Sequence, residues 1–276
     1  MTVAKWVIGL AMLAFLAGPG LGWADETAEA GRKIMKAGRD AVVKVEVVIQ
    51  SKWVMNGVEM ENQEFKSEVT GTVLDPSGLV LVSLTAIDPS KFMENLMPDG
   101  GRDMKMEMKL DLKGVKLILP DETELDAKVV LRDRDLDMVF LLPKQKPPKA
   151  MAFVDMNRQS RPAIMDEIVI LGRLSKVANH APSILASRIS ALVSKPRPFY
   201  IPQAAGDGME NNGTPVFTLD GQVAGVILMR ISKTEGAGGF GAMMGGAGAM
   251  GITTVIMPAA EILEAAKQAL ALQSKE

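Results

Sequence analysis

With one histidine, His180, and no cysteine, this sequence has few side chains that could carry covalent or metal chemistry. Lack of cysteine excludes disulfides, a thiol nucleophile, thiolate zinc sites and a lipid-modified cysteine. His180 lies in Lys176-Val177-Ala178-Asn179-His180-Ala181-Pro182, which reads as a surface loop. As a general base it would need a nucleophile to deprotonate, and the nearest serine in sequence, Ser183, has no glycine-flanked turn to present it. Any metal site would have to be built mainly from carboxylates or methionines. Met93, Met97, Met104, Met106 and Met108 cluster in one region and Met243, Met244 and Met250 in another. Thioethers ligate Cu(I) in exported proteins, so a methionine-based copper carrier is one reading. The strict alternation of Met104, Met106 and Met108 fits an apolar core face better, because methionine is a flexible filler of irregular cores. We expect no metal and no cofactor.

The elements that would have to position any site are strands. Of the 276 residues 47% are hydrophobic, enough for one large all-β domain or two small ones. The formal net charge of -2, spread through the chain, gives no footprint for nucleic acid. Lys5, an apolar run from Trp6 to Ala17, the Gly18-Pro19 break and the small residues Gly22 and Ala24 read as a secretory signal over residues 1–24. The apolar run is shorter than the roughly 20 residues a membrane-spanning helix needs. We therefore expect an exported protein, periplasmic or extracellular in a bacterium, with no membrane span once the signal is cleaved.

Residues 25–276 form the expected mature domain. Asp25 to Arg39 is helical in pattern, and Val42 to Ile49 begins a run of strands. Asn56-Gly57 and Glu59 to Lys66 read as a hairpin or projecting loop, followed by Val69 to Leu74, the turn Asp75-Pro76-Ser77-Gly78, and Leu79 to Leu84. Met104 to Leu112 alternates as a half-buried strand, and Val115 to Leu119, Ala127 to Leu131 and Met138 to Leu142 add more. After the proline-rich bridge Pro143 to Lys149 the grammar repeats: Glu167 to Leu171, Ser183 to Val193, Pro215 to Leu219, Val223 to Arg230 and Gly251 to Ile256. A last helix follows Pro258 and spaces Ile262, Leu263, Ala266 and Leu270 on one face. Glu235 to Gly251 is glycine-rich and reads as a mobile loop. Short strands at this spacing argue for two antiparallel barrels in tandem, about 41–142 and 150–257, with a helix over 259–272.

Three blocks in this order resemble the HtrA family of trypsin-like serine proteases. The first runs from Ser67 to Asp88, with a glycine-bearing strand, the Asp75-Pro76-Ser77-Gly78 turn and a second strand; the family's catalytic histidine falls at Thr85. The second is Ala127-Lys128-Val129-Val130, Arg132-Asp133 and Asp137 to Leu142, which keeps the aspartate as Asp137. The third is Ile201 to Ala205, then Glu210-Asn211-Asn212-Gly213-Thr214-Pro215 and Leu219-Asp220-Gly221. It resembles the family's Gly-Asn-Ser-Gly-Gly-Pro segment and puts Asn212 at the nucleophilic serine.

The resemblance covers roughly Ala41 to Ala271. It implies an all-β, trypsin-like (chymotrypsin) fold of two six-stranded antiparallel barrels with short helices at the two ends. It also implies a degenerate triad at Thr85, Asp137 and Asn212. Such chemistry needs a nucleophile, a base, a group orienting the base, and amides aimed at the oxyanion. Only the carboxylate is kept: Asn212 has no nucleophilicity of use, and the Thr85 hydroxyl accepts no proton near neutral pH. The oxyanion-hole segment Glu210, Asn211, Asn212, Gly213 and Thr214 is altered too, with a negative charge where the family has glycine. The expectation is a pseudoprotease, not an enzyme, acting as a binding or scaffold module. It would accept an extended peptide or protein segment by strand addition near Gly225, Val226, Ile227 and Leu228. Residual or unorthodox serine endopeptidase activity is the alternative. Members of the family often trimerise and carry PDZ domains; self-association is compatible with the resemblance, and no PDZ domain is expected in this chain.

Overall fold

The structure is a computed structural model that describes residues 23–55, 58–59, 63–90, 106–204, 210–231 and 252–273. Helix α1 (Trp23–Gly38) leads into strands β1 (Val42–Met55), β2 (Val58–Glu59), β3 (Gln63–Val73) and β4 (Val80–Ser83), and a one-turn helix α2 (Leu84–Ile87) follows. Strands β5 (Met106–Ile118), β6 (Glu124–Asp133) and β7 (Met138–Pro143) complete the first half. The second half holds β8 (Glu167–Arg173), β9 (Pro182–Val193), β10 (Phe199–Pro202), β11 (Pro215–Thr218), β12 (Val223–Ile231), β13 (Ile252–Pro258) and helix α3 (Ala259–Gln273).

Both halves close. In the first, the order β1-β3-β4-β7-β6-β5 is sealed by a long β1–β5 ladder, with the short β2 appended to the end of β1. In the second, β10-β13-β12-β11-β8-β9 forms the other barrel. All these pairings are antiparallel. The chain is thus an all-β protein of two six-stranded antiparallel barrels, as the strand spacing led us to expect. Where two strands were expected between Met104 and Leu119, the structure has one, β5. The register of β1 against it shifts between Val48 and Ile49, opposite Gly114, so a bulge carries the ladder through the polar break that read as a gap.

Apolar residues occur on both faces of the central strands because each strand serves two cores. On β7, Val139 and Leu141 fill the first barrel, while Met138, Phe140 and Leu142 face the seam between barrels. Val169, Leu171, Val226, Leu228, Val255 and Met257 meet them from the second barrel, and α3 adds Ile262, Ala265, Ala266 and Ala269. A strand buried on both faces reads as a continuous apolar run instead of alternating. The bridge Pro143 to Lys149 leads to a segment stitched to each barrel in turn: Val154 N–H donates to Val73 O at 2.9 Å, and Ser160 N–H to Val223 O at 2.8 Å.

The turn Asp75 to Gly78 has the chemistry its sequence calls for. Ser77 N–H donates to Asp75 Oδ1 at 2.8 Å, and Gly78 takes a φ of 89°. Among the described residues no helix is long and apolar enough to cross a membrane. Nearly all of the expected signal segment, the whole glycine-rich loop from Glu235 to Gly251, and Met93, Met97, Met104, Met243, Met244 and Met250 lie outside the described residues.

Candidate functional site

The carboxylate of Asp137 sits at the seam between barrels, 6% exposed. Asp133 turns the chain between β6 and β7 by accepting the amides of Asp135 and Leu136 at 2.9 Å each, and Asp137 follows with a φ of 58°. Its side chain accepts from two directions. Oδ1 takes the backbone N–H and the hydroxyl of Thr85, both at 2.7 Å. Oδ2 takes the hydroxyl of Ser83 at 2.6 Å and the backbone N–H of Met229 at 3.1 Å. Burial pushes the Asp137 carboxyl above its ordinary value, and the bonds from Ser83, Thr85 and Met229 pull the other way.

Thr85 is positioned by β4 and α2. Ser83 ends β4 and caps α2 by accepting the Ala86 N–H at 3.3 Å, and Leu84 N–H donates to the backbone oxygen of Asp137 at 3.0 Å. Ser83 did not figure among the expected site residues. Its signal was present, a serine at the end of an apolar strand and ahead of a helical turn, which is the pattern of an N-cap.

The segment Glu210–Thr214 docks between the barrels through its backbone. Gly213 O accepts the Thr72 hydroxyl at 2.6 Å, and Gly213 N–H donates to Ile227 O at 2.8 Å. Ile227 N–H then donates to Thr214 O at 2.9 Å. Gly213 has a φ of 83°, and a Cβ there would collide with Thr70 O, so the position demands glycine. Thr214 is fully buried, its hydroxyl donating to Asn211 O at 2.5 Å. Asn212 is 3% exposed, and its Oδ1 has no hydrogen-bond partner among the described residues. Glu210 is exposed, and its charge acts on the buried Lys44 of β1.

Strand β12 relates these two sets of residues. Ile227 holds the Asn212 segment and Met229 holds Asp137, so the anchors stand two residues, or roughly 7 Å, apart along one strand edge. Thr85 and Asp137 are in direct contact. A cavity of about 260 Å³ opens beside them, lined by Thr85, Asp88, Ser90, Arg134, Asp135 and Arg230 among others. Asn212 does not line it.

The run Gly225–Leu228 is paired on both edges. Towards β13 the ladder is continuous from Gly225 to Ile231, and towards the other side Gly225 meets β11 while Ile227 takes Gly213 and Thr214. Two residues further along that edge, the Met229 N–H donates to the Asp137 carboxylate.

His180 is not on the surface. Its side chain is 7% exposed, wedged between Glu68 and Glu122 of the first barrel. Buried cations stand nearby: Arg173 donates to the backbone oxygens of Val42, His180 and Arg39 at 2.7–2.8 Å, and Lys44 Nζ to the Thr70 hydroxyl at 3.0 Å. Burial pulls both cations below their ordinary values, most directly Lys44, whose neighbours Glu68 and Glu210 oppose the effect. The relocated base considered for His180 has its ring nitrogens already committed to carboxylates. Among the described residues, no group of three or more His, Asp or Glu is arranged to hold a metal ion.

Two closed antiparallel barrels meeting at a cleft define the class of protein, one consistent with the trypsin-like double-barrel fold. A scan of family models and a search of curated proteins both return no match.

Proposed function

We propose that this chain is an exported, HtrA-like serine protease homologue that does not cleave peptide bonds and instead holds an extended protein segment in the cleft beside Thr85. The observation that carries the reading is the state of Asp137. Its two oxygens are taken up by four neutral donors, from Ser83, Thr85 and Met229, in the place where a protease of this fold orients an imidazole. With the hydroxyls of Ser83 and Thr85 as its partners and asparagine in the docked segment, the cleft on this reading has an orienting acid without an imidazole base. The cavity next to it is lined by Arg134, Met229 and Arg230, so a guest segment held there would lie beside the end of β12 with two cationic side chains in reach.

Incubating the purified chain with a fluorophosphonate probe and with labelled casein tests the loss of chemistry; no labelling and no cleavage are expected. Label retained after Asn212→Ala and lost after Ser183→Ala would overturn it. Binding is tested on a random peptide array. A consensus set of extended segments is expected, weakened about tenfold by Arg230→Glu. An array with no binder above background would end the scaffold reading.

A further inference from the structure

We propose that His180 is a protonation-controlled clasp between the two barrels. The inference is independent of whether the cleft binds peptides. The loop between β8 and β9 presents the ring through two successive left-handed residues, Asn179 and His180, each with a φ of 51°. That conformation is uncommon for residues other than glycine and is held here by tertiary contacts. Nε2 lies 3.1 Å from Glu68 Oε1 on β3, and Nδ1 lies 3.2 Å from Glu122 Oε1 in the turn between β5 and β6. Both carboxylates belong to the first barrel, while the histidine belongs to the second.

The arrangement has a proton count built into it. A neutral imidazole has one N–H and can donate to one carboxylate, leaving its other nitrogen lone pair facing the second. An imidazolium donates to both. The clasp therefore makes two bonds across the seam when charged and one when neutral. Histidine is the side chain whose charge ordinarily changes between pH 5 and 8.

The charges around the ring come from several elements. Glu68 and Glu122 face the ring directly. Beyond them Glu68 and Glu210 act on Lys44 of β1, Asp40, Glu122 and Arg39 act on Arg173 of β8, and Lys176 lies within the same loop. Arg173 adds a charge-independent tether, because its Nη1 holds the His180 backbone oxygen at 2.8 Å while Nε and Nη2 hold Val42 and Arg39. Loss of the second imidazole bond would loosen the clasp without releasing the loop.

The clasp has a route to the cleft. Glu68, Thr70 and Thr72 alternate along one face of β3. Glu68 meets the histidine, Thr70 abuts Gly213 and receives Lys44, and Thr72 holds the Gly213 oxygen. The strand that carries the proton-sensitive contact thus also seats the segment containing Asn212.

A single histidine makes the test direct, since all imidazole signals of the full chain belong to one residue. Nitrogen-resolved NMR of the ¹⁵N-labelled protein is expected to show two slowly exchanging ring N–H signals at pH 5.5 and one at pH 8.5. Glu122→Gln should perturb one of the two signals at pH 5.5. In the parent, backbone amides of the 174–181 loop should exchange about tenfold faster at pH 8.5 than at pH 5.5 after correction for intrinsic rates, a difference that His180→Gln abolishes. Ring protons that exchange as freely as those of the urea-unfolded chain at both pH values would overturn the proposal. So would an equal pH effect in parent and His180→Gln. If His180→Gln does not fold, the parent spectra and Glu122→Gln still decide the question.

Discussion

Two polar sites cross the seam of this molecule, and they are built on opposite plans. At Asp137 a single buried charge is surrounded by neutral donors, two of them backbone amides and two of them hydroxyls. At His180 the ring lies between two carboxylates, with buried Arg173 and Lys44 satisfied by carbonyls and a hydroxyl. The first site opens on a cavity that, among the described residues, no histidine lines. The second contains the one histidine of the sequence, with both ring nitrogens already occupied. A histidine beside acids is therefore not enough to assign catalysis: here the ring bridges the two barrels, while the cavity beside Asp137 is lined by carboxylates, hydroxyls and the arginines Arg134 and Arg230.

Breaking the seam where both sites depend on it should have the largest effect. Gly213→Ala forces a side chain onto Thr70 O at a positive φ, and a loss of about 4 kcal/mol in urea unfolding is expected. A loss under 1 kcal/mol would mean that the docked segment moves aside easily and that the two sites are not tied through β3.

Asp137→Ala strips an acceptor from three residues at once and should cost about 3 kcal/mol. Asp137→Asn should recover part of that. Its oxygen can still accept from Thr85, while its NH₂ faces the Met229 amide, donor against donor. Equal stability of the two variants would show that the hydrogen bonds contribute little and that the site is held by packing.

Lys44→Met sharpens the contrast from the other side. A buried cation without a carboxylate in direct contact gains little from its charge, so the change should fall within about 1 kcal/mol of neutral at pH 7. Its sign should move with pH. Because burial lowers the folded-state value of Lys44, the unfolded chain holds its proton more tightly, and the parent gains stability as pH rises through the folded-state value towards 10.5. The advantage of methionine should therefore shrink in alkaline solution, as measured by unfolding midpoints at pH 7 and pH 10.

The smallest expected effect is on catalysis. Thr85→His with Asn212→Ser replaces the two missing groups, yet we expect no measurable casein hydrolysis. Thr214 is fully buried and bonded to Asn211, and Glu210 stands where the resemblance calls for glycine, so the oxyanion donors remain those of an altered turn. Robust turnover by the double variant would show that the turn is already competent.

The class of fold was legible in the sequence because strands of this kind announce themselves locally. Valine runs, the Asp75 to Gly78 turn and the helix after Pro258 each depend on neighbours within a few residues. Of the three residues the resemblance singled out, Thr85 and Asp137, 52 residues apart, touch in the structure, while Asn212 does not line the cavity beside them. The strand order that seals each barrel, the bulge that merges two expected strands into β5, and the double pairing that occupies Gly225–Leu228 were not legible, since each depends on which distant strand lies alongside. His180 shows the limit most clearly. Its surroundings in sequence are those of an exposed loop, and nothing near it foretells Glu68, 112 residues away, or Glu122, 58 residues away. Local sequence sets backbone preference and apolar pattern; the partner of a polar side chain is chosen by long-range packing, which only the closed pair of barrels supplies.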